Sequence, residues 1–394
     1  MISSSRSQIE TRHKCWKERF LAYHKNKTGI TKRGSKYEAA FGVILHDWMN
    51  CILTLVKDTN VSAEVYIHSY FTSHQKDFNK EITKAISDAY PNIPRDQWAH
   101  MVDEQQALLG FLVFGWVQKR LPRILREYEI IDVERETEAI FEPAKYLPEG
   151  LAAVMQPLRL PIRFDCVLKQ KSTGLLFIMD FKTTKNANED WNINLDNSLQ
   201  SNLYIEAAEI IYKEHCGGIF YEGLVKGYRQ VDNAKSSKFR GTLIQYGSAL
   251  YGWRNMKTGE VGVKYVTGYQ REYLALGKTT GEFYGYLADL NVDTEEYFPN
   301  TVPYKPLNIP MIVAQTIVNE NNYANTLEMY NEFPPAHPQK DMYEEILFEK
   351  SLGNCFKYGT KHPCQFVDIC HGCLGEEEIA IQFEPREDHH KREG

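Results

Sequence analysis

No apolar run in this chain is long enough to cross a membrane, and its first residues, MISSSRSQIETRHKCW, lack the hydrophobic segment of a secretory signal. Both absences lead to the expectation of a soluble, cytoplasmic protein. Positive charge is also missing in bulk, since 46 lysines and arginines face 52 acids for a net charge of −6. The chain as a whole therefore does not attract polyanions, and contact with one must come from local basic patches. Cysteines are few, eight in 394 residues, and four of them crowd into residues 355–373. In a reducing compartment that crowding disfavours a disulfide framework and suits metal ligation. The remainder is ordinary globular material, 43% hydrophobic and 25% charged, with enough length for a large core in two or three subregions.

The most informative stretch is 161–207, PIRFDCVLKQKSTGLLFIMDFKTTKNANEDWNINLDNSLQSNLYIEA. Two apolar runs, 162–168 and 175–181, are split by KQKSTG, which reads as a β-hairpin. Asp165 lies in the first strand. Asp180 and Lys182 lie in the second, two apart and so on one face. A helix is expected over 197–212, with Gln200 and Tyr204 four apart on one side. Two carboxylates brought together in a half-buried site repel unless a cation sits between them. Hard divalent ions take such oxygen ligands and keep positions for water and phosphate oxygens. An adjacent lysine can orient the attacking water or neutralise developing charge. The pattern suits metal-assisted cleavage of a phosphodiester.

Asp165, then Asp180-Phe181-Lys182, then Gln200-Ser201-Asn202-Leu203-Tyr204, resembles the PD-(D/E)XK nuclease superfamily and, within it, the RecB-type branch with its Q-x-x-x-Y helix. The resemblance implies an α/β fold, a mixed sheet flanked by helices as in restriction endonucleases. It implies Mg²⁺ or Mn²⁺ held by Asp165 and Asp180, with the Phe181 backbone carbonyl as a further ligand. His46, in the G-x-x-x-H setting begun by Gly42, would be a third side-chain ligand, and imidazole favours Mn²⁺. Lys182 would serve the water or the charge, while Gln200 and Tyr204 would position Lys182 or the phosphate. Relatives carry another acid ahead of the first aspartate, and Glu134 or Glu138 would take that place. The implied activity is exonuclease-like cleavage of DNA ends or single strands, in recombination, repair or phage replication, with a helicase or recombination partner. The alternative is a catalytically inactive DNA-binding or assembly subunit with a metal-stabilised fold.

The segment CFKYGTKHPCQFVDICHGC also resembles the C-terminal motif of iron–sulfur RecB-type nucleases, the AddB subunits and the CRISPR-associated RecB-like exonucleases. The resemblance assigns Cys15, Cys355, Cys364 and Cys370 to a [4Fe–4S] cluster, with Cys373 as the substitute for Cys355. The chain departs from that pattern, because eight residues separate Cys355 from Cys364 and Cys373 is extra. Zn²⁺ held by the four C-terminal thiols is the alternative. A cluster using Cys15 would staple the two chain ends.

In chain order, residues 1–127 read as a helical region holding Cys15 within a first helix and His46 within a second. Residues 128–230 read as the nuclease core, opening on a strand over 128–140. Residues 231–339 read as an aromatic-rich, β-rich insertion, and 340–376 as a C-terminal helix with the cysteines. The charged stretch 377–394 reads as a mobile tail. Three basic groups are candidates for a DNA backbone: Arg229, Lys235, Lys238 and Arg240 beyond the active-site helix; Lys25, Lys27, Lys32, Arg33 and Lys36; and Lys119, Arg120, Arg123 and Arg126.

Overall fold

A continuous apolar run such as LFIMDF suits a strand covered on both faces, and this one lies inside a sheet with helices on either side. The computed structural model describes residues 1–32, 37–59, 80–88, 121–184, 189–196, 198–225, 298–334, 337–356 and 363–386, with scattered positions between 77 and 120 and three short strands within 242–262.

The sheet joins β1 (Ile2–Ser3), β3 (Tyr128–Phe141), β4 (Leu158–Gln170), β5 (Leu176–Thr184) and β6 (Cys216–Val225). β3 runs antiparallel to β4 along nearly its whole length. On the opposite edge of β4 two strands share the space. β5 pairs antiparallel with residues 166–169 only, and β1 pairs parallel at Leu158 and Arg159. β5 then continues beside β6 in a parallel ladder. β4 and β5 therefore part company at Asp165 and Asp180, leaving a fork in the middle of the sheet.

One face of the sheet packs Cys166, Leu168, Met179 and Phe181 against α3 (Tyr37–Thr59), Trp116 and α4 (Leu121–Glu127). The other packs Phe164, Val167, Ile178 and Tyr221 against α6 (Leu199–Tyr212) and α7 (Ile309–Asn331), with α5 (Glu189–Asp196) nearby. Ser198 caps α6 by accepting the Ser201 N–H at 3.1 Å, and Lys213 ends it in the left-handed conformation at φ 56°. The architecture is a mixed α/β sandwich.

A third cluster joins the chain ends. Phe20 and Leu21 of α2 (Trp16–Tyr23) pack with Tyr323 and Tyr330 of α7, Phe348, Phe366 and Phe383. Beneath them runs a buried charge network. Glu320 takes Arg12 at 3.0 Å and Arg19 at 2.8 Å, and Glu344 of α8 (Lys340–Leu347) takes Lys17 at 2.7 Å.

Several expectations change. The N-terminal region is not only helical, because β1 enters the sheet. The first helix is two, α1 (Arg6–Lys14) and α2, broken at Cys15, whose backbone is extended (φ −164°, ψ 126°). Residues 143–152, ahead of β4, form two short helical turns, Pro143–Tyr146 and Glu149–Ala152. The insertion does carry strands, β7 (Thr242–Tyr246), β8 (Leu250–Arg254) and β9 (Val261–Gly262), in an antiparallel sheet of their own. Residues 298–331 nevertheless belong to the core, through α7 and the backbone bridges Ile219–Tyr304 and Glu222–Asn300. The stretch read as a mobile tail forms α9 (Glu376–Gln382) and β10 (Phe383–Pro385). β10 pairs antiparallel with β2 (Ile30–Lys32), and Phe383 is buried, stacked on Phe366 at 5.8 Å. Burial of that ring outweighs the charge around it.

Candidate active site

Where two strands separate, backbone groups lose their ladder partners and must find others. Cys166 opposes Met179, so one further step would set Asp165 opposite Asp180. There the ladder stops, and Asp165 Oδ2 accepts the Phe181 N–H at 2.9 Å. The buried carboxylate does the work of a strand bond and is fixed by it. Facing in β4 also shifts here. Leu160, Ile162 and Phe164 point to the α6–α7 core, whereas Cys166 and Leu168 point to the α3 core.

On the other edge, Arg135 pairs with Phe164 and Val133 with Cys166, which places Glu134 across from Asp165. Glu134 has φ 50°, a left-handed conformation that costs a residue with a side chain about 1–3 kcal/mol. Its carboxylate meets Asn50 and, at 2.9 Å, Arg163. Burial pushes Glu134 up to about 7; Arg163 opposes this and Asp165 and Asp47 add to it. Of the two acids that the sequence left open, Glu134 is the one at the fork. Glu138 pairs with Arg159 at the half-exposed end of the strands.

His46 comes from α3. Gly42, one turn earlier, allows the close approach, since a Cβ there would lie 3.3 Å from Thr183 Oγ1 on β5. His46 Nδ1 sits 3.2 Å from Asp165 Oδ2, with its ring edge-on to Phe181 at 6.2 Å. Burial disfavours the imidazolium, but the hydrogen bond and charge of Asp165 outweigh it and raise the His46 pKa. Asp165 is shifted the other way. Burial works against its anion, yet His46, Lys182 and the Phe181 N–H hold its pKa below the ordinary carboxylate value.

Asp180 is almost fully buried and its pKa is raised, by burial first and by Asp165, with Lys182 opposing. Gln200 Nε2 donates to Asp180 Oδ1 at 2.9 Å, and Gln200 Oε1 accepts from Lys182 Nζ at 3.1 Å. Lys182 also forms an ion pair with Asp180 Oδ2, an oxygen that makes no hydrogen bond of good geometry. The lysine lies 5.6 Å over the Tyr221 ring, whose hydroxyl meets Ser201 Oγ at 2.6 Å. Tyr204, one turn beyond Gln200, is buried with its ring at 5.5 Å from Phe164, and its pKa is raised by burial. Gln200 thus fixes Asp180 and Lys182 together, while Tyr204 lines the same pocket of charge.

One residue of the site was not singled out from the sequence. Arg6, the first residue of α1, donates from Nη1 to Gln200 Oε1 and feels the charge of Tyr204 and Asp180. The capping box of Ser5 with Gln8 marks the helix start in the sequence. Nothing local tells where that start docks; the β1–β4 pairing does.

The thiol region is assembled from both chain ends. Cys15 Sγ caps α2 by accepting the Glu18 N–H at 3.4 Å and also accepts the Ser351 N–H at 3.4 Å. Cys364 N–H bonds the Cys355 carbonyl at 2.8 Å. Burial raises the thiol pKa of Cys355, of Cys364 to about 11 and of Cys370 to about 12. The charge of Cys15 adds to each of these, and Cys364 feels Cys355 while Cys370 feels Cys364. Cys373 is exposed, with its Sγ toward the His371 carbonyl. Among the described residues, no group of three or more His, Cys, Asp or Glu side chains is already arranged to hold a metal ion, at the fork or at the thiols.

Of the basic candidates, Arg229, Lys235, Lys238 and Arg240 lie outside the described residues, as do Arg33 and Lys36. Arg120 is not free for a backbone phosphate. It forms a two-pronged pair with the fully buried Glu222 at 2.9 and 3.0 Å, and Trp116 Nε1 donates to the same carboxylate. Arg123 pairs with Glu127 at 3.2 Å. No protein-family model matches the chain, and no curated protein matches it significantly. No helix among the described residues is long and apolar enough to cross a membrane.

Proposed function

We propose that the chain is a divalent-metal-dependent nuclease of the PD-(D/E)XK type, acting on DNA ends or single strands. The observation that carries the reading is the fork: Asp165 and Asp180 lie one step past the last β4–β5 pair and feel each other's charge, with Lys182 tied to Asp180 through Gln200. Two buried acids side by side are costly unless cations answer them; Lys182 and His46 answer them in part, and their oxygens suit a hard divalent ion as well. Asp165 and Asp180, with His46 and the Phe181 carbonyl, would hold Mg²⁺ or Mn²⁺. The ion, when bound, supplies Lewis acidity toward a phosphate oxygen.

The chain's own groups do the rest. Lys182 donates toward the attacking water or the charge that grows on the phosphate oxygens as the water O–P bond forms and the P–O ester bond breaks. Gln200 holds that ammonium at a set angle. Asp165, braced by Phe181 N–H and His46, cannot swing away. At the other end, Cys15, Cys355, Cys364 and Cys370 are the thiols that would hold a [4Fe–4S] cluster. They are free, mutually coupled in charge and drawn from both termini. A cluster there would be structural.

The experiment is cleavage of end-labelled single- and double-stranded DNA in Mg²⁺ or Mn²⁺ by wild type, Lys182→Ala and Asp180→Asn. Turnover by wild type that both substitutions abolish supports the proposal. Equal products from all three, or none from the wild type, sink it; the second result would favour a DNA-binding subunit without chemistry.

A further inference from the structure

We infer that Arg6 is a phosphate-binding residue of this site, contributed by the N-terminus. The inference rests on the nuclease reading above. Pairing of Ile2 with Leu158 and Ser3 with Arg159 carries the chain alongside β4 to the fork. Ser5 and Gln8 then cap α1 and fix its first turn, so Arg6 enters the site on a held backbone and not on a loop. Its Nη1 shares the Gln200 carbonyl oxygen with Lys182 Nζ. That oxygen is itself aimed, because Gln200 Nε2 is committed to Asp180.

Lys182 already answers Asp180, so Arg6 brings a second cation to the same neutral acceptor, and an anion that bridges the two is drawn to the pair. Arg6 is half-buried, and the charges of Tyr204, Glu10 and Asp180 favour its guanidinium, but no carboxylate among the described ion pairs grips it as Glu320 grips Arg12 and Arg19. A guanidinium has donors in a planar fork, and one bond to Gln200 leaves others for the oxygens of a phosphate. Lys182 as a point charge serves the reacting group; Arg6 as a fork serves to hold the phosphodiester in register beside Asp180.

The test uses the full chain with wild type, Arg6→Lys and Arg6→Gln, and Lys80→Ala, at an exposed lysine outside the basic groups, as a surface control. Steady-state cleavage of a labelled single strand gives KM and kcat, and binding of the same strand in Ca²⁺ over a salt series gives affinity and slope. Loss of a charge-assisted contact predicts a KM about 10- to 100-fold higher for Arg6→Gln. The same loss lowers the salt slope by about one contact. Arg6→Lys, which keeps the charge and loses the fork, falls between, and Lys80→Ala matches wild type. Wild-type KM and salt slope in Arg6→Gln overturn the inference while leaving the nuclease proposal standing. A fall in kcat alone also overturns it, in favour of Arg6 acting only to position Gln200. If wild type cleaves nothing, the nuclease proposal fails, and the binding series still decides Arg6: unchanged affinity and slope overturn it, and a weakened, flatter series supports it. Thermal unfolding of each variant shows that the comparison is between folded chains.

Discussion

At the scale of single residues, the site depends on who satisfies whom. Gln200 is the hinge of the arrangement, because its two amide ends address opposite charges: Nε2 meets Asp180 and Oε1 meets Lys182. Replacing it with leucine removes a donor from a buried carboxylate, so Gln200→Leu is expected to lose about 1–3 kcal/mol of stability. Turnover should fall at least as far as for a misplaced lysine, about ten-fold or more. Urea unfolding and cleavage assays on the same preparation check both. A second prediction concerns His24, at the C-terminal cap of α2. Its Nε2 is buried without a hydrogen bond, its ring lies 5.6 Å from Tyr323, and burial followed by the charge of Arg19 lowers its pKa from 6.5 to about 4. Its pKa is depressed in the fold, so the unfolded chain takes up the proton first. The contribution of neutral His24 is complete above pH 6.5 and declines as pH falls toward 4, by up to about 3 kcal/mol. Chemical denaturation at pH 7.5 and pH 4.5 should show this slope, flattened in His24→Phe. An unchanged slope in the variant would assign the acid sensitivity elsewhere.

At the scale of elements, α3 and β5 must approach closely for His46 to reach Asp165. Gly42 makes room, and a side chain there meets Thr183. Gly42→Ala gains helix propensity of about 1 kcal/mol against a tight contact, so its stability should change little. Gly42→Leu should push α3 outward and lower turnover, with Thr183→Ala restoring part of it. That coupling is read from a double-mutant cycle, and strict additivity would mean that the two positions do not touch. The helical stretch bearing Gln200 and the hairpin bearing the aspartates were legible in the sequence, because apolar runs and a polar turn suffice to mark them. The break at Cys15 was not. Ile9, Trp16 and Phe20 fit one continuous helical face across it, and the break arises because Cys15 leaves α1 extended and caps α2 with its own sulfur.

At the scale of the whole molecule, the two ends of the chain are tied by protein alone: β2 with β10, the cluster around Phe20 and Phe348, and the buried pairs at Glu320 and Glu344. Removing Glu320 would strand Arg12 and Arg19 in the interior, and Glu320→Gln is expected to cost about 3–5 kcal/mol. A fall in the thermal midpoint is the check. A metal cluster at the thiols would add to this tie. Purified without oxygen, the protein is expected to be brown, with absorbance in the blue of the visible range that Cys15→Ser removes while Cys373→Ser retains. A colourless protein carrying one zinc per chain would replace the iron–sulfur proposal.

Residue identity and local period alone determined the strand–turn–strand–helix order and the places of Asp165, Asp180, Lys182, Gln200 and Tyr204 along it, because alternation and helical spacing act within a few residues. Which acid joins them, Glu134 and not Glu138, was decided by the β3–β4 register and a left-handed backbone at one position. The arrival of Arg6, the withdrawal of Arg120 into the pair with Glu222, and the capture of Phe383 were decided only in three dimensions. Each is a contact between residues far apart in the chain, set by which edges and faces were left to cover once the sheet had formed, and no short stretch of sequence carries that information.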